Sequence, residues 1–131
     1  MSSPNARVVR AALEALGAED PDGFVALLHP EIEIATARGA RHGLEAATEW
    51  ASKRFDHLVR RWVVDELREE GDRVLMIGRV RYVWRDDGVV GAESPSAIAF
   101  ELDGGRLRSL RIHESVDEAA AEHARAPAAH R

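Results

Sequence analysis

The sequence predicts an α+β fold, with helices in the first half of the chain and antiparallel strands in the second. Apolar residues recur at helical spacing up to about residue 55, and apolar and polar residues alternate after it. Three short turn sequences, each with at least one Asp and one Gly, separate the alternating runs. Helices that are segregated from an antiparallel sheet are typical of the α+β class.

Two helices are predicted at the start of the chain from their capping signals. Ser3-Pro4 and Asp20-Pro21 each place an N-capping side chain before a proline at the first helical position. Gly17 is expected to end the first helix after about four turns. Pro30 prevents the second helix from continuing, so we expect about two turns there. The apolar faces consist of Val9, Leu13, Leu16, Phe24, Leu27 and Leu28.

A strand, a loop and a third helix are predicted next. Glu31-Ile32-Glu33-Ile34 alternates with the period of a half-buried strand. Residues 36–42 contain Gly39 and two arginines, which indicates a loop. Helical spacing resumes at Gly43 and is expected to end near Phe55.

Four consecutive strands and three tight turns are predicted after the third helix. We expect strands at residues 58–67, 73–85, 89–102 and 106–113. Strands that follow one another through tight turns form an antiparallel meander. Pro95 lacks a backbone N–H, so it predicts a bulge or an edge position in the third of these strands.

The end of the chain carries a capping-box pattern, Ser115-Val116-Asp117-Glu118. It predicts a short alanine-rich helix to about Ala124. Residues 125–131 contain Pro127 and no apolar anchor, so we expect a flexible tail there. Residues 1–124 are expected to form a single domain.

Composition narrows the class of protein. The 131 residues carry a net charge of −5, which disfavours nucleic-acid binding. The chain has no cysteine, which excludes disulfide scaffolds and thiol catalysis. No apolar run approaches the ~18 residues of a membrane span, and residues 1–5 lack the pattern of a signal peptide. We therefore expect a cytoplasmic protein that binds neither nucleic acid nor membrane.

Several segments resemble the NTF2-like superfamily, in its SnoaL-like or ketosteroid-isomerase-like branch. The second helix and first strand, the glycine-led third helix, one hairpin and the last turn carry the resemblance. These segments are DGFVALLHPEI at 22–32, GLEAA at 43–47, GDRVL at 71–75, and FELDGGRL at 100–107 followed by Arg111-Ile112-His113. Their order and spacing extend over residues 5–124.

The resemblance implies an NTF2-like cone, in which a curved antiparallel sheet wraps around three N-terminal helices and a short C-terminal helix follows. The open end of such a cone is a ligand pocket. The resemblance also implies a homodimer through the outer face of the sheet. It implies a small apolar or weakly anionic ligand and no cofactor.

Two catalytic patterns of the superfamily are missing. Steroid isomerisation needs a carboxylate base after the first strand and a tyrosine in the first helix. Residues 35–38 contain no acid, and the only tyrosine is Tyr82. The Asp-Arg-Asp arrangement of the epoxide-hydrolase-like members is also incomplete, because no interior aspartate accompanies the strand arginines.

Two histidines are candidates for acid–base chemistry. His113 is the preferred catalytic candidate, because the last strand usually lines the cavity in the proteins this chain resembles. His42 could meet it at the pocket rim, and a histidine exchanges protons near neutral pH. The alternative is that His42 is a loop residue and His113 a sheet residue. No histidine pair has the spacing of a helical zinc site, so we expect no metal.

Arg79, Arg81 and Arg111 lie in the middle of predicted strands and are candidates to bind an anionic group. The alternative for Arg79 and Arg81 is a set of cross-strand salt bridges with acids such as Glu93 or Glu101. Trp50 and Tyr82 are further ligand-binding candidates, although Trp50 also suits the core. Side-chain alternation places Arg111 and His113 on one face of the last strand and Leu110 and Ile112 on the other, but it leaves open which face lines the cavity.

Two functions therefore stay open. The first is a SnoaL-like pocket protein that acts as a cofactor-free isomerase, dehydratase or cyclase on an apolar carbonyl or hydroxyl compound. The second is a non-catalytic ligand-binding or dimerisation module. Strand arginines that are all held in salt bridges would favour the second function.

Overall fold

Residues 3–113 and Ala120 are described by the computed structural model. Within them the helices are α1 (Pro4–Gly17), α2 (Pro21–Val25) and α3 (Leu44–Ala51). The strands are β1 (Leu28–Thr36), β2 (Gly39–His42), β3 (Leu58–Glu70), β4 (Arg73–Trp84), β5 (Val90–Asp103) and β6 (Arg106–His113). No helix among the described residues has the length and apolar character needed to cross a membrane.

The predicted helix starts are confirmed. The Ser3 hydroxyl accepts the Ala6 N–H at 3.0 Å, and the Asp20 carboxylate accepts the Gly23 N–H at 3.0 Å. Each capping residue precedes a proline, as expected. These caps begin α1 and α2 where the sequence predicts them.

Helices α2 and α3 are shorter than predicted. Helix α2 ends at Val25, because Leu28 already pairs with Leu107 of β6 and belongs to β1. Strand pairing therefore begins at Leu28, two residues before the proline that was expected to end the helix. Helix α3 ends at Ala51, and Phe55 beyond it is 50 % exposed, so no burial extends the helix to that residue.

The prediction of a loop at residues 36–42 is wrong in part. Its second half is strand β2, which forms a hairpin with β1 and pairs Thr36 with Gly39. Gly39 has a φ of 130°, which glycine adopts without strain and which permits the tight reversal. Strand β1 is accordingly longer than the four residues the alternation predicts.

One sheet contains all six strands in the order β2-β1-β6-β5-β4-β3. The antiparallel meander of β3 to β6 is confirmed, and β1 adds to it in parallel beside β6. Pro95 pairs with Arg79 of β4 but lies beyond Ala97, where the described pairing with β6 ends. The residues after His113 that would face Pro95 lie outside the described residues, so the expected bulge or edge position stays a prediction.

The sheet buries both of its faces, and the larger cluster lies under the helices. We call the side toward α1, α2 and α3 the inner face and the opposite side the outer face. The inner cluster includes Val9, Leu13, Phe24, Ile32, Ile34, Val74, Met76, Ile98, Phe100, Leu107 and Leu110. On the outer face Leu75 and Ala97 are fully buried, and Ala120 packs against them. The predicted α+β class is confirmed.

Three expectations fall at the C-terminus. The capping box at 115–118, the helix to Ala124 and the tail at 125–131 lie outside the described residues. Ala120 alone is described there, and it has helical geometry. The single domain expected for residues 1–124 stays a prediction.

Candidate functional site

A groove of about 590 Å³ lies between α1 and β3 at the edge of the sheet. Its apolar floor consists of Leu13 from α1 and of Trp62 and Val64 from β3. Its rim carries three charged side chains, Arg10, Glu14 and Arg61. The groove thus combines a small apolar floor with a charged rim.

A β-bulge shapes the β3 side of this groove. Val64 pairs with Gly78 of β4, whereas the next partner of Ile77 is Glu66, so Asp65 is an extra residue in β3. A bulge bends its strand and increases the local twist. Gly78 makes the bulge possible, because a Cβ there would lie 1.9 Å from the carbonyl oxygen of Val63.

The rim charges stay available to a ligand. Arg10 and Glu14 stand one turn apart on α1, and Arg61 faces them from β3. In the part of the chain that the structure describes, none of the three is in an ion pair. They present two cations and one anion around an apolar floor.

Arg60 lies at the end of β3 that is nearest Phe55. Its guanidinium carbon is 5.2 Å from the ring centroid of Phe55 and 5.4 Å from that of Trp62. Arg60 is half-buried, and loss of hydration lowers the pKa of its guanidinium, although Tyr82 and Glu19 oppose this shift. The side chain is thus a partly desolvated cation beside two aromatic rings.

An ion pair fixes the segment that carries Phe55. Arg85, just after β4, donates to both carboxylate oxygens of Glu19 at 2.6 and 3.0 Å. The same guanidinium donates to the carbonyl oxygens of Phe55 and Leu58 at 2.8 and 3.2 Å. The hydrogen bond from Arg85 is the main cause that lowers the pKa of Glu19.

Arg111 and His113 do not face the groove. Leu110 and Ile112 pack into the inner cluster, so Arg111 and His113 lie on the outer face of β6. This settles the face that the sequence leaves open. His113 is half-buried and pairs with Ala97 in the sheet.

Arg79 and Arg81 also lie on the outer face, in cross-strand salt bridges. Arg79 bonds Asp65 at 3.0 Å and Glu93 at 3.2 Å, and Arg81 bonds Glu93 at 2.6 Å. The hydrogen bond from Arg81, followed by that from Arg79, lowers the pKa of Glu93. Of the two arrangements that the sequence allows for this pair of arginines, the structure shows the ion-paired one.

The structure does not bring the two candidate histidines together. His42 pairs with Glu33, which lies beside Ser109 of β6, and His113 is four residues farther along that strand. His42 is exposed, with Nε2 at 3.4 Å from a carboxylate oxygen of Glu31. No group of three His, Asp or Glu side chains that could hold a metal is present among the described residues.

The aromatic candidates lie on the helix side of the sheet. Trp50 packs against Phe24 in the core, with ring centroids 5.9 Å apart. Tyr82 is half-buried and pairs with Arg60 across β3 and β4. Tyr82 therefore belongs to the neighbourhood of Arg60.

Sequence reasoning missed the charged residues of the groove and Arg60. Arg10, Glu14 and Gly17 recur at the spacing of one side of a helix, and an arginine pair precedes Trp62. These patterns mark a solvated face as readily as a site. Only the approach of α1 to β3 distinguishes the two.

A curved sheet that holds a layer of helices on one face defines a cone-shaped α+β protein with a side groove. The family comparison is more specific. A family model described as a SnoaL-like domain matches residues 9–110, so the chain belongs to the SnoaL-like family. No curated protein matches the sequence significantly.

Solved structures share the fold. TerC, co-crystallised with polyporic acid, is 19% identical with a TM-score of 0.73 and covers 91% of this chain and 97% of its own. A Mycobacterium tuberculosis LEH-like epoxide hydrolase is 19% identical with a TM-score of 0.71, covering 90% and 87%. The Δ5-3-ketosteroid isomerase of a Mycobacterium species is 15% identical with a TM-score of 0.71, covering 88% and 96%. At these identities the likeness shows the NTF2-like fold.

Proposed function

We propose that this chain is a small-molecule-binding protein of the SnoaL-like type and that its ligand occupies the α1–β3 groove. The observation that carries the proposal is an apolar floor of Leu13, Trp62 and Val64 surrounded by charges without ion-pair partners in the described chain. Such a site suits a small apolar or weakly anionic molecule. TerC, which shares the fold, was co-crystallised with a small organic molecule, polyporic acid.

Binding without catalysis is the function that the candidate residues favour. Arg79 and Arg81 are held by Asp65 and Glu93 on the outer face. A catalytic His113 would need a ligand on that same outer face, away from the groove. A non-catalytic ligand-binding module requires none of these three side chains, Arg79, Arg81 or His113, at the groove.

One observation supports a catalytic second candidate, the cofactor-free isomerase, dehydratase or cyclase. Glu14 places a carboxylate at the rim of the groove, and a carboxylate can accept a proton from a bound carbonyl compound. Two proteins of the same fold are an isomerase and an epoxide hydrolase. In this version Glu14 is the base, and Glu14→Gln abolishes turnover while binding persists.

A bulky side chain at the α1 end of the groove tests the binding site. Ala18 is exposed, follows α1 and lines the groove, so Ala18→Trp fills it without disturbing the core. We expect this variant to weaken the binding of anilinonaphthalene sulfonate, an apolar anionic probe, by about tenfold or more, because two groups cannot share one volume. Fluorescence titration measures the change.

Ala26→Trp is the matched control. Ala26 is also an exposed residue that directly follows a helix, α2, but it does not line the groove. The control should bind the probe like the parent chain. Equal binding by the Ala18→Trp variant would place the probe elsewhere and contradict the proposal.

We also propose a homodimer through the outer face of the sheet, because the resemblance to the NTF2-like superfamily implies one. Leu75 and Ala97 on that face are buried within the chain itself. Light scattering at micromolar concentration should give twice the chain mass of 14.4 kDa. Because Ala120 of the same chain already packs on this patch, a mass of 14.4 kDa would mean that the chain covers the face by itself.

A further inference from the structure

We propose that Arg60 is the anion-recognition residue of this protein and that it binds the carboxylate of a ligand whose apolar body lies in the α1–β3 groove. The inference rests on the proposed function and adds the chemical class of the ligand, an apolar or aromatic carboxylate. It stands on the surroundings of Arg60, on its position beside the groove and on guanidinium chemistry.

The surroundings of Arg60 leave its hydrogen-bond donors without a carboxylate. The side chain is half-buried, and its described contacts are with the rings of Phe55 and Trp62. A guanidinium has five N–H donors and no acceptor, and aromatic rings provide it with no carboxylate or carbonyl oxygen. No described side chain forms an ion pair with Arg60.

The carboxylate that attracts Arg60 is already engaged. Glu19 attracts Arg60 electrostatically, but Arg85 binds both of its carboxylate oxygens. Arg54 approaches one of the same oxygens at 3.9 Å. Because Glu19 is hydrogen-bonded to Arg85, Arg60 is a partly desolvated cation to which an incoming anion can bind.

Arg60 is adjacent to the groove. Trp62 contacts the Arg60 guanidinium and also lines the groove, and the two residues lie on the same face of β3, about 7 Å apart along the strand. Gly17, at the other wall, is close to the same point, since a Cβ on it would lie 3.6 Å from the carbonyl oxygen of Arg60. A ligand whose ring system packs against Trp62 can therefore place a carboxylate attached to that ring within reach of Arg60.

The chemistry favours a carboxylate. Planar guanidinium and carboxylate groups form two parallel hydrogen bonds, and this pairing is stronger where water is partly excluded. The lowered pKa of Arg60, which comes from its burial, indicates such an environment. A neutral ligand of the same shape would fill the groove but would leave Arg60 without its acceptor.

Two probes of equal shape and different charge test the inference. Naphthalene carboxylate and naphthalene carboxamide are titrated calorimetrically at pH 7 into the parent chain and into Arg60→Gln. We expect the parent to prefer the carboxylate. The variant should bind the carboxylate about tenfold or more weakly, as expected for loss of a charged hydrogen-bonded pair, and should bind the carboxamide as the parent does.

Arg106→Gln is the control, because Arg106 is an exposed arginine in the β5–β6 turn region, far from the groove along the sheet. It should keep the preference of the parent for the carboxylate. A parent chain that binds both probes equally, or an Arg60→Gln variant that keeps the preference or weakens both probes alike, would overturn the role of Arg60 and leave the groove proposal standing. Failure of the parent to bind either probe would overturn both.

Discussion

Gly78→Ala is expected to destabilise the fold by about 3 kcal/mol, in the range of severe overpacking. The added Cβ would lie 1.9 Å from the carbonyl oxygen of Val63, 3.0 Å from its carbonyl carbon and 3.2 Å from the amide nitrogen of Asp65. All three atoms are backbone, so no side-chain rotation relieves the clash. The bulge in β3 would have to move away from β4, and Val64 in the floor of the groove would move with it. Denaturant unfolding measures the loss of stability.

Gly17→Ala is the matched control for this prediction. Gly17 is the last residue of α1, and a Cβ there would make ordinary contacts of 3.6 to 3.9 Å with Arg60 and Arg61. Alanine restricts the unfolded chain more than glycine, so this change should be neutral or stabilising by up to about 1 kcal/mol. Equal stability of the two variants would show that the β3 bulge does not depend on Gly78.

Glu19→Gln is expected to lower stability near neutral pH, with a difference from the parent that shrinks in acid. The hydrogen bond from Arg85 holds the pKa of Glu19 below its ordinary value of 4.5, so the folded state favours the carboxylate. A depressed pKa contributes stability above the unfolded-state value, and this contribution is lost as the pH falls through the folded-state value. The difference should therefore be constant above about pH 6 and should decrease below pH 4.5. Thermal melts across this range measure it.

Glu19→Gln leaves the backbone strain at this position unchanged. Glu19 has a φ of 55°, which is costly for any residue with a Cβ, and glutamine has the same Cβ. Glu49→Gln is the control, because Glu49 is exposed on α3 and forms no ion pair among the residues that the structure describes. A pH profile for Glu19→Gln that matches the Glu49→Gln profile would contradict a stabilising role for the Arg85–Glu19 pair.

Local signals in the sequence predict most of the fold. The caps at Ser3 and Asp20 and the Asp-Gly turns between strands act over a few residues, and each is confirmed. The misses concern long-range pairing. Leu28 leaves a helical pattern because it pairs with Leu107, which is 79 positions away in the sequence and invisible to local periodicity.

The candidate site was harder to predict than the fold for a related reason. Alternation shows that Arg111 and His113 share a face but not which face the helices cover. Strand β6 also contains a bulge, because Glu101 pairs with Ser109 and Leu102 with Leu107, which leaves Arg108 as an extra residue. This bulge lets Leu107 and Leu110 reach the same core. A groove between a helix and an edge strand depends on how α1 lies across β3, and no single motif records that contact.

The measurement that tests the account most directly is a crystal structure of the chain with bound naphthalene carboxylate. We expect the ring system to lie against Trp62, between Leu13 and Val64, with its carboxylate on Arg60. A ring system bound on the outer face, at Arg111 and His113, would contradict it and would return the site to the last strand of the sheet.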